Sequence, residues 1–362
     1  MSRLTQEEIQ LLAQGARTFV EECSPPGRIR TSRDDRDLLG WSRELWQEMV
    51  ALGWPALGVP EAQGGLGLGF ATQCILLEEL GRNLVPEPLL TTAVATRALV
   101  MSGVSAAQDL LSEIAEGRAI VAIASEEDGR PHGGLGEGNT IAEGGKVRGQ
   151  KTGVPDGFGA TAYLVSARDD DGPLLCLVDG AASGVDVTRQ WRVDGRNAAT
   201  LELDGAVYVR LGGPDLVRAV FDHGAIGLAA EMLGGATRAF EVTLEYLKTR
   251  EQFGVAIGTF QALQHRAARI FVELGMLRSA LSGGTSAADQ DRSDRSRMAS
   301  LAKAMAGDTY NLVTREAIQL HGGIGMTDEH DIGLYLKRAR VSDVTWGTAA
   351  WHRRRWATLG GY

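Results

Sequence analysis

Tyr246-Leu-Lys-Thr-Arg-Glu-Gln-Phe-Gly-Val-Ala-Ile-Gly-Thr-Phe-Gln-Ala-Leu-Gln-His-Arg266 reads as the end of one long helix, a tight apolar turn and the start of another. Gly254 and Gly258 punctuate the turn. Arg250 falls in the last helical turn, where a cation suits the helix dipole. Thr259 is the expected N-cap of the next helix, whose apolar stripe is Phe260, Leu263, Ala267, Ile270, Phe271 and Leu274. A plain helical hairpin within a bundle satisfies this spacing. A second reading has Arg250, Phe253 and Gln261 facing a bound ligand. The rest of the chain chooses between them.

Outward from this stretch, helices are expected over roughly 215–249 and 260–281. A polar loop, Gly283 to Ser293, then leads to a third helix ending near Leu320 and rich in Ala299, Ala302, Ala304, Ala306 and Gly307. His321-Gly-Gly-Ile-Gly-Met-Thr is a glycine-rich turn, Asp328 is the expected N-cap of the helix after it, and a last segment covers 348–359. Residues 1–118 also read as helical. Thr5 and Glu8 form a capping box, and a second helix carries Leu38, Leu39, Leu45, Met49 and Val50. Further helices run from Phe70 to Gly81 and from Glu87 to Met101, and Ser105 with Gln108 caps a short one. Between these halves, residues 119–213 hold short β-branched runs separated by Asp-Gly and Gly-Gly turns, which predict a small antiparallel barrel or sandwich. The expected division is 1–118 all-α, 119–213 β and 214–362 helical bundle, an α+β plan.

Composition narrows the function classes. The 362 residues are 44% hydrophobic and 23% charged, as in an ordinary soluble globular protein. A net charge of −9 argues against nucleic acid or an anionic membrane as partner. Cys23, Cys74 and Cys176 are odd in number and scattered, which fits a reducing cytoplasm. No signal core or membrane span is legible. His321, His330 and His352 lack metal-ligand spacing, so no metal is expected. The glycine-rich stretch Gly53–Gly69 lacks the preceding strand and Gly-Lys-Ser/Thr of a nucleotide-binding loop.

Helical segment, β segment, helical bundle, in that order, resembles the acyl-CoA dehydrogenase family. Pro60-Glu-Ala-Gln-Gly-Gly-Leu-Gly-Leu-Gly69 with Leu77-Glu-Glu-Leu-Gly81 resembles its N-terminal signature. Arg250-Glu-Gln-Phe-Gly with Ile257-Gly-Thr-Phe-Gln261 resembles its central motif, and Gln319-Leu-His-Gly-Gly-Ile-Gly-Met-Thr-Asp-Glu329 its C-terminal flavin motif. The resemblance spans nearly the whole chain. It implies an N-terminal helical domain, a small central β domain and a C-terminal four-helix bundle, with FAD held between subunits. It assigns Arg250, Phe253 and Gln261 to the adenosine and pyrophosphate end of the flavin. Gln319, Gly322 and Gly323 would meet a flavin from the neighbouring subunit, and Thr348 completes the cofactor-binding set. Physical chemistry agrees, since a guanidinium pairs with pyrophosphate oxygens and glycines let backbone N–H groups approach an anion.

The chain departs from the family in two places. The segment Ala124-Ser-Glu-Glu-Asp-Gly-Arg-Pro131 stands where members carry Thr-Glu-Pro, and Gly149-Gln-Lys-Thr-Gly-Val-Pro-Asp-Gly157 resembles a sub-branch of heteromeric subunits linked to steroid and other unusual acyl-CoA oxidation. The second departure concerns the base. The family reaction is α,β-dehydrogenation of an acyl-CoA thioester, in which a carboxylate takes the α-proton. Many members place that Glu immediately before a Gly-Thr pair; here Trp346 precedes Gly347-Thr348. Indole has an N–H donor and no useful basicity. The family's second base position falls at or near Gly224. Asp222 is about 200° around the helix from it, and Glu231 lies on nearly its face but about 10 Å further along.

The resemblance therefore implies a flavoprotein subunit that acts on an acyl-CoA, assembles as a homodimer, homotetramer or hetero-oligomer, passes electrons to an electron-transfer flavoprotein-type acceptor, and takes its base from a paralogous partner. Two alternatives stay open: a self-sufficient dehydrogenase using Asp222, Glu231 or another carboxylate, and a fold redirected to structural, ligand-binding or lyase/hydratase work.

Overall fold

The computed structural model describes residues 4–128 and 138–362. Six helices come first: α1 (Gln6–Cys23), α2 (Arg28–Asp34), α3 (Arg43–Ala51), α4 (Phe70–Arg82), α5 (Leu89–Ser102) and α6 (Ala106–Ala115). Eight strands follow: β1 (Val121–Ala124), β2 (Ile141–Glu143), β3 (Lys146–Pro155), β4 (Ala162–Asp169), β5 (Gly172–Asp179), β6 (Val185–Gln190), β7 (Ala198–Val207) and β8 (Val209–Gly212). The remainder is α7 (Pro214–Thr249), a ribbon of β9 (Glu251–Gln252) and β10 (Val255–Ala256), then α8 (Gln261–Asp289), α9 (Arg295–His321), α10 (Ile332–Val344) and α11 (Ala349–Leu359).

Two compact units divide these elements. One gathers Met1–Ile9, Arg30–Gln73 and Pro86–Gly227; the other gathers Gln10–Ile29, Cys74–Val85 and Leu228–Tyr362.

The first unit is organised by one sheet of order β6-β7-β3-β2-β4-β5-β8, with β1 also paired to β4. Pairing is mostly antiparallel, but β1 runs parallel to β4, so the sheet is mixed where an antiparallel one was expected. Register shifts at Val147/Arg148 and Lys151/Val154 bend β3 against β7. Val147, Val154, Tyr163, Val165, Leu174, Cys176, Leu201 and Leu203 form its core. α5 is buried on every side from Leu89 to Leu99, which is why it shows no amphipathic stripe.

In the second unit α4 and the C-terminal half of α7 approach to backbone contact. A Cβ at Gly81 would lie 2.0 Å from the Glu231 carbonyl oxygen, and one at Gly234 1.8 Å from that of Glu78. Only glycine permits this approach. Glu79 is buried and receives both nitrogens of a fork from Arg17 at 2.9 and 2.8 Å. Leu77–Gly81 is thus a helix-packing motif.

Several local expectations fail. Leu38 and Leu39 lie before α3, and a short α2 precedes them. Strand β2 was not foreseen. Ser105 makes no side-chain cap on α6. Helix α8 runs straight through the expected loop to Asp289, because Ala280, Leu281, Gly284, Ala287 and Ala288 are all buried; tertiary burial overrides the polar composition. Phe260, not Thr259, occupies the α8 N-cap position, and the Thr259 hydroxyl donates to the Ala256 carbonyl at 2.7 Å. Helix α10 begins at Ile332, and Asp328 pairs with Lys337 at 3.6 Å instead of capping it. Thr5 and Glu8 do form the reciprocal box, Thr5 N–H to Glu8 at 2.7 Å and Glu8 N–H to Thr5 Oγ1 at 3.3 Å.

Among the described residues, no helix is long and apolar enough to cross a membrane, and no group of His, Cys, Asp and Glu is arranged to hold a metal.

Candidate cofactor turns and the position of the missing base

Helix α7 ends at Thr249, and the chain turns back on itself at once. Val255 pairs with Gln252 and Ala256 with Glu251. Phe253 and Gly254 form the tip with φ of 56° and 80°. Two successive left-handed residues are the signature of a type I′ hairpin. Phenylalanine is an unusual occupant of the first position, and its ring is 93% exposed. Its neighbour is Phe260, with ring centroids 6.1 Å apart. Arg250 and Gln261 flank the ribbon, both exposed. The Arg250 guanidinium has no hydrogen-bond or ion-pair partner among the described residues. A cation and an aromatic face are presented outward together.

The second turn follows α9. Gly322 has φ 64° and ψ −140°, a region closed to L side chains. Gly325 is required by crowding, since a Cβ there would meet the Ile318 carbonyl oxygen at 2.9 Å and the His321 Cβ at 3.0 Å. Gly323 is different: its φ is ordinary and a Cβ would meet nothing within 4 Å. Nothing inside the chain asks for glycine there. Gln319 is exposed one turn earlier. The two turns belong to one compact unit. Tyr246, four residues before Arg250, stacks on His321 with centroids 4.5 Å apart.

Trp346 is 2% exposed with φ 50°. Three carbonyls around it are taken. His352 Nε2 lies 2.8 Å from the Trp346 oxygen, and the buried Lys303 Nζ donates to Gly347 at 2.7 Å and Asp343 at 3.0 Å. Thr348 caps α11, accepting the Trp351 N–H at 3.2 Å. The turn is therefore locked around an indole, with no carboxylate at 346. On α7, Asp222 is completely buried, and Gly224 offers no side chain. Glu231 is buried and ion-paired to Arg338 at 3.1 Å, so a guanidinium occupies one of its oxygens.

The sheet contains a buried pair that sequence reading missed. Lys151 is 1% exposed and its Nζ donates to Glu127 at 2.8 Å. Glu127 also accepts the Thr140 hydroxyl at 2.6 Å and the N–H groups of Thr140 at 3.1 Å and Asn139 at 2.5 Å. Burial opposes ionisation of Glu127, but these donors and the Lys151 charge outweigh it and hold its pKa down to about 2. A signal existed: alternation in β3 puts Lys151 on the inward side with Val147. Asp156, in the Val-Pro-Asp-Gly turn, is buried with φ 55°. It accepts from Thr91 Oγ1 at 2.8 Å and lies 3.6 Å from Arg196. Of the Ala124–Pro131 segment, residues 129–131 lie outside the described residues.

Family models described as "Acyl-CoA dehydrogenase, N-terminal domain" and "Acyl-CoA dehydrogenase, C-terminal domain" match residues 6–118 and 212–358. The chain is 33% identical over 343 residues to acyl-CoA dehydrogenase IpdE2 of Mycobacterium tuberculosis, covering 93% of this chain and 92% of that one. It is 32% identical over 337 residues to IpdE2 of Mycolicibacterium smegmatis, covering 93% of each. Among solved structures, it is similar to the Tcur3481-Tcur3483 steroid ACAD G363A variant, with TM-score 0.91, 33% identity and 98% of both chains covered. The ChsE4-ChsE5 complex from Mycobacterium tuberculosis gives TM-score 0.89 at 28% identity, covering 100% of this chain and 99% of that one. With both terminal domains matched and curated relatives above 30% identity along nearly its whole length, the chain belongs to the acyl-CoA dehydrogenase family.

Proposed function

We propose that this chain is the cofactor-holding, base-lacking subunit of a heteromeric acyl-CoA dehydrogenase. Trp346, buried in a locked turn where a carboxylate is needed, carries the reading. The outward-facing Arg250, Phe253 and bare Gly323 backbone support FAD as the ligand. When bound, FAD supplies the acceptor for the β-hydrogen and its electron pair. On the chain's side, Arg250 would pair with pyrophosphate oxygens, Phe253 and Gln261 would meet the adenosine end, and Gln319 with the Gly322–Gly323 backbone would meet a flavin of the neighbouring subunit. Removal of the α-proton falls to a carboxylate of a paralogous subunit. The similar solved structures named for two components, Tcur3481-Tcur3483 steroid ACAD and the ChsE4-ChsE5 complex, support a paralogous partner and a steroid or other unusual acyl-CoA substrate. An electron-transfer flavoprotein-type acceptor, a cytoplasmic location and the division at 118/119 and 213/214 belong to the same proposal.

The test is a visible spectrum. Co-expressed with a paralogue that carries a Glu before its Gly-Thr pair, the chain is expected to co-purify yellow and bleach with a suitable acyl-CoA. Alone, it is expected to bleach with none. Bleaching by the lone chain at a comparable rate would remove the need for a partner. Substituting Asp222→Asn and Glu231→Gln in that case identifies or eliminates those two bases.

The two glycines of the second turn separate cofactor from fold. Gly323→Ala is expected to leave the apoprotein's melting temperature within about 1 °C, since no atom is met, yet to weaken FAD binding about tenfold or more. Gly325→Ala is expected to destabilise the apoprotein by about 1–3 kcal/mol through overpacking. Equal effects of the two on thermal stability would refute the assignment of Gly323 to an external ligand.

A further inference from the structure

The two cofactor turns are joined by three aromatic rings in a row. Tyr246, one turn before Arg250, stacks on His321 at 4.5 Å with planes 28° apart. His321 in turn faces His330 with centroids 4.5 Å apart. His321 immediately precedes Gly322-Gly323, and His330 lies just beyond the turn those glycines open. His321 is 2% exposed. Its Nδ1 lies 2.8 Å from the Ala317 carbonyl, so that nitrogen carries the proton. Its Nε2 is buried with no hydrogen-bond partner.

We infer that His321 is a positioning residue whose neutral ring braces the Gly322–Gly323 turn against the end of α7, so that protonating it loosens the cofactor site. This rests on the functional reading above for the identity of the cofactor. A second proton on His321 would place an N–H without an acceptor in a buried position, which disfavours it unless the turn moves. It would also set a cation against His330. The titratable groups touching His321 are Tyr246 from α7 and His330 from the turn. His330 itself lines a cleft with Glu21, Arg238, Glu329 and Asp331. Burial pushes the His321 pKa below its ordinary 6.5; the Ala317 carbonyl opposes this and His330 adds to it. The folded value being the lower one, the brace is intact above pH 6.5 and is weakened as the pH falls from there. Neither a guanidinium nor a pyrophosphate titrates in that window, so a pH effect on cofactor binding there comes from some other group of the protein, and the His321 variant identifies which.

The experiment is FAD titration of the full chain by flavin fluorescence at pH 7.5, 6.5 and 5.5, alone and with a paralogous partner. Alongside it, hydrogen exchange of residues 322–326 is measured on the apoprotein, corrected for intrinsic rate. Wild type is expected to lose FAD affinity by about two- to fivefold between pH 7.5 and 5.5, less than the roughly tenfold an unshifted imidazole would give, with exchange faster by a similar factor. His321→Phe keeps a ring in the stack and cannot take a proton. It is expected to bind within about threefold of wild type at pH 7.5 and to be flat across the range in both measurements. His330→Phe, a second variant, removes a charge that holds the His321 pKa down and is expected to steepen the slope. A pH dependence undiminished in His321→Phe, or its absence from wild type, overturns the inference. FAD that binds at no pH, with or without a partner, overturns the functional reading instead, and the exchange data then decide the brace alone.

Discussion

Arg250→Ala is expected to lower FAD affinity about 100-fold while leaving thermal stability of the apoprotein unchanged. The guanidinium is exposed and has no partner among the described residues, so its removal deletes no contact within the chain. What it deletes is a pair of charge-assisted hydrogen bonds to an anion, each of about 1.5–3 kcal/mol, with part recovered by water. Arg250→Lys is expected to restore only part of the loss, because an ammonium does not reproduce the planar fork. Phe253→Ala should add a smaller loss from the stacking face, about tenfold. The stability half of the prediction discriminates: an Arg250 that held the hairpin together would lower the melting temperature when removed. Equilibrium FAD titration and a thermal melt of the apoprotein decide both halves.

Glu127→Gln is expected to destabilise the chain by about 3–5 kcal/mol, the largest single effect foreseen, because it strands the Lys151 ammonium at 1% exposure. Replacing both partners, as Glu127→Gln with Lys151→Met, should recover much of the loss, since a buried pair exchanged for groups without charge is often close to neutral. The pH dependence has a definite sign. Glu127 ionises more readily folded than unfolded, with a folded pKa of about 2 against an ordinary 4.5. Its contribution is therefore fully present above pH 4.5 and is lost as the pH falls from there through 2. Urea unfolding midpoints between pH 5 and pH 2.5 should fall more steeply for wild type than for the double variant. Parallel slopes would show that the pair does not govern acid stability.

The order of elements was legible because the signals are local. Helix period, β-branched runs and the Thr5–Glu8 box locate most elements in the sequence. Glycine at 254 and 322 announces backbone that no other residue adopts easily, and both positions have positive φ. Where local chemistry competed with burial, sequence reading went wrong. The polar composition of 283–293 suggested a loop, yet Ala287 and Ala288 are buried and carry α8 on to Asp289. Asp328 and Thr259 look like N-caps, but each makes a different contact, to Lys337 and to the Ala256 carbonyl. A capping residue fixes a helix start only if the chain's path leaves the first turn's N–H groups within reach.

That tryptophan, not a carboxylate, precedes Gly347-Thr348 is a fact of sequence, and the family resemblance gives that position its meaning. That the indole is buried in a locked turn is not readable there, since Lys303, which holds two of the surrounding carbonyls, is more than 40 residues away. The same holds for Glu127 and Lys151, 24 residues apart, and for Tyr246 and His321, whose rings stack between the two turns. By itself the sequence determined the family, the sequence of helices and strands, and the two turns that face outward, because each depends on residues within a few positions of one another. The tertiary structure alone decided which charges are buried in pairs, which glycine of the second turn is crowded and which is open, and which rings stack beside it. Those depend on distance through space, and on what remains to touch once the chain has folded.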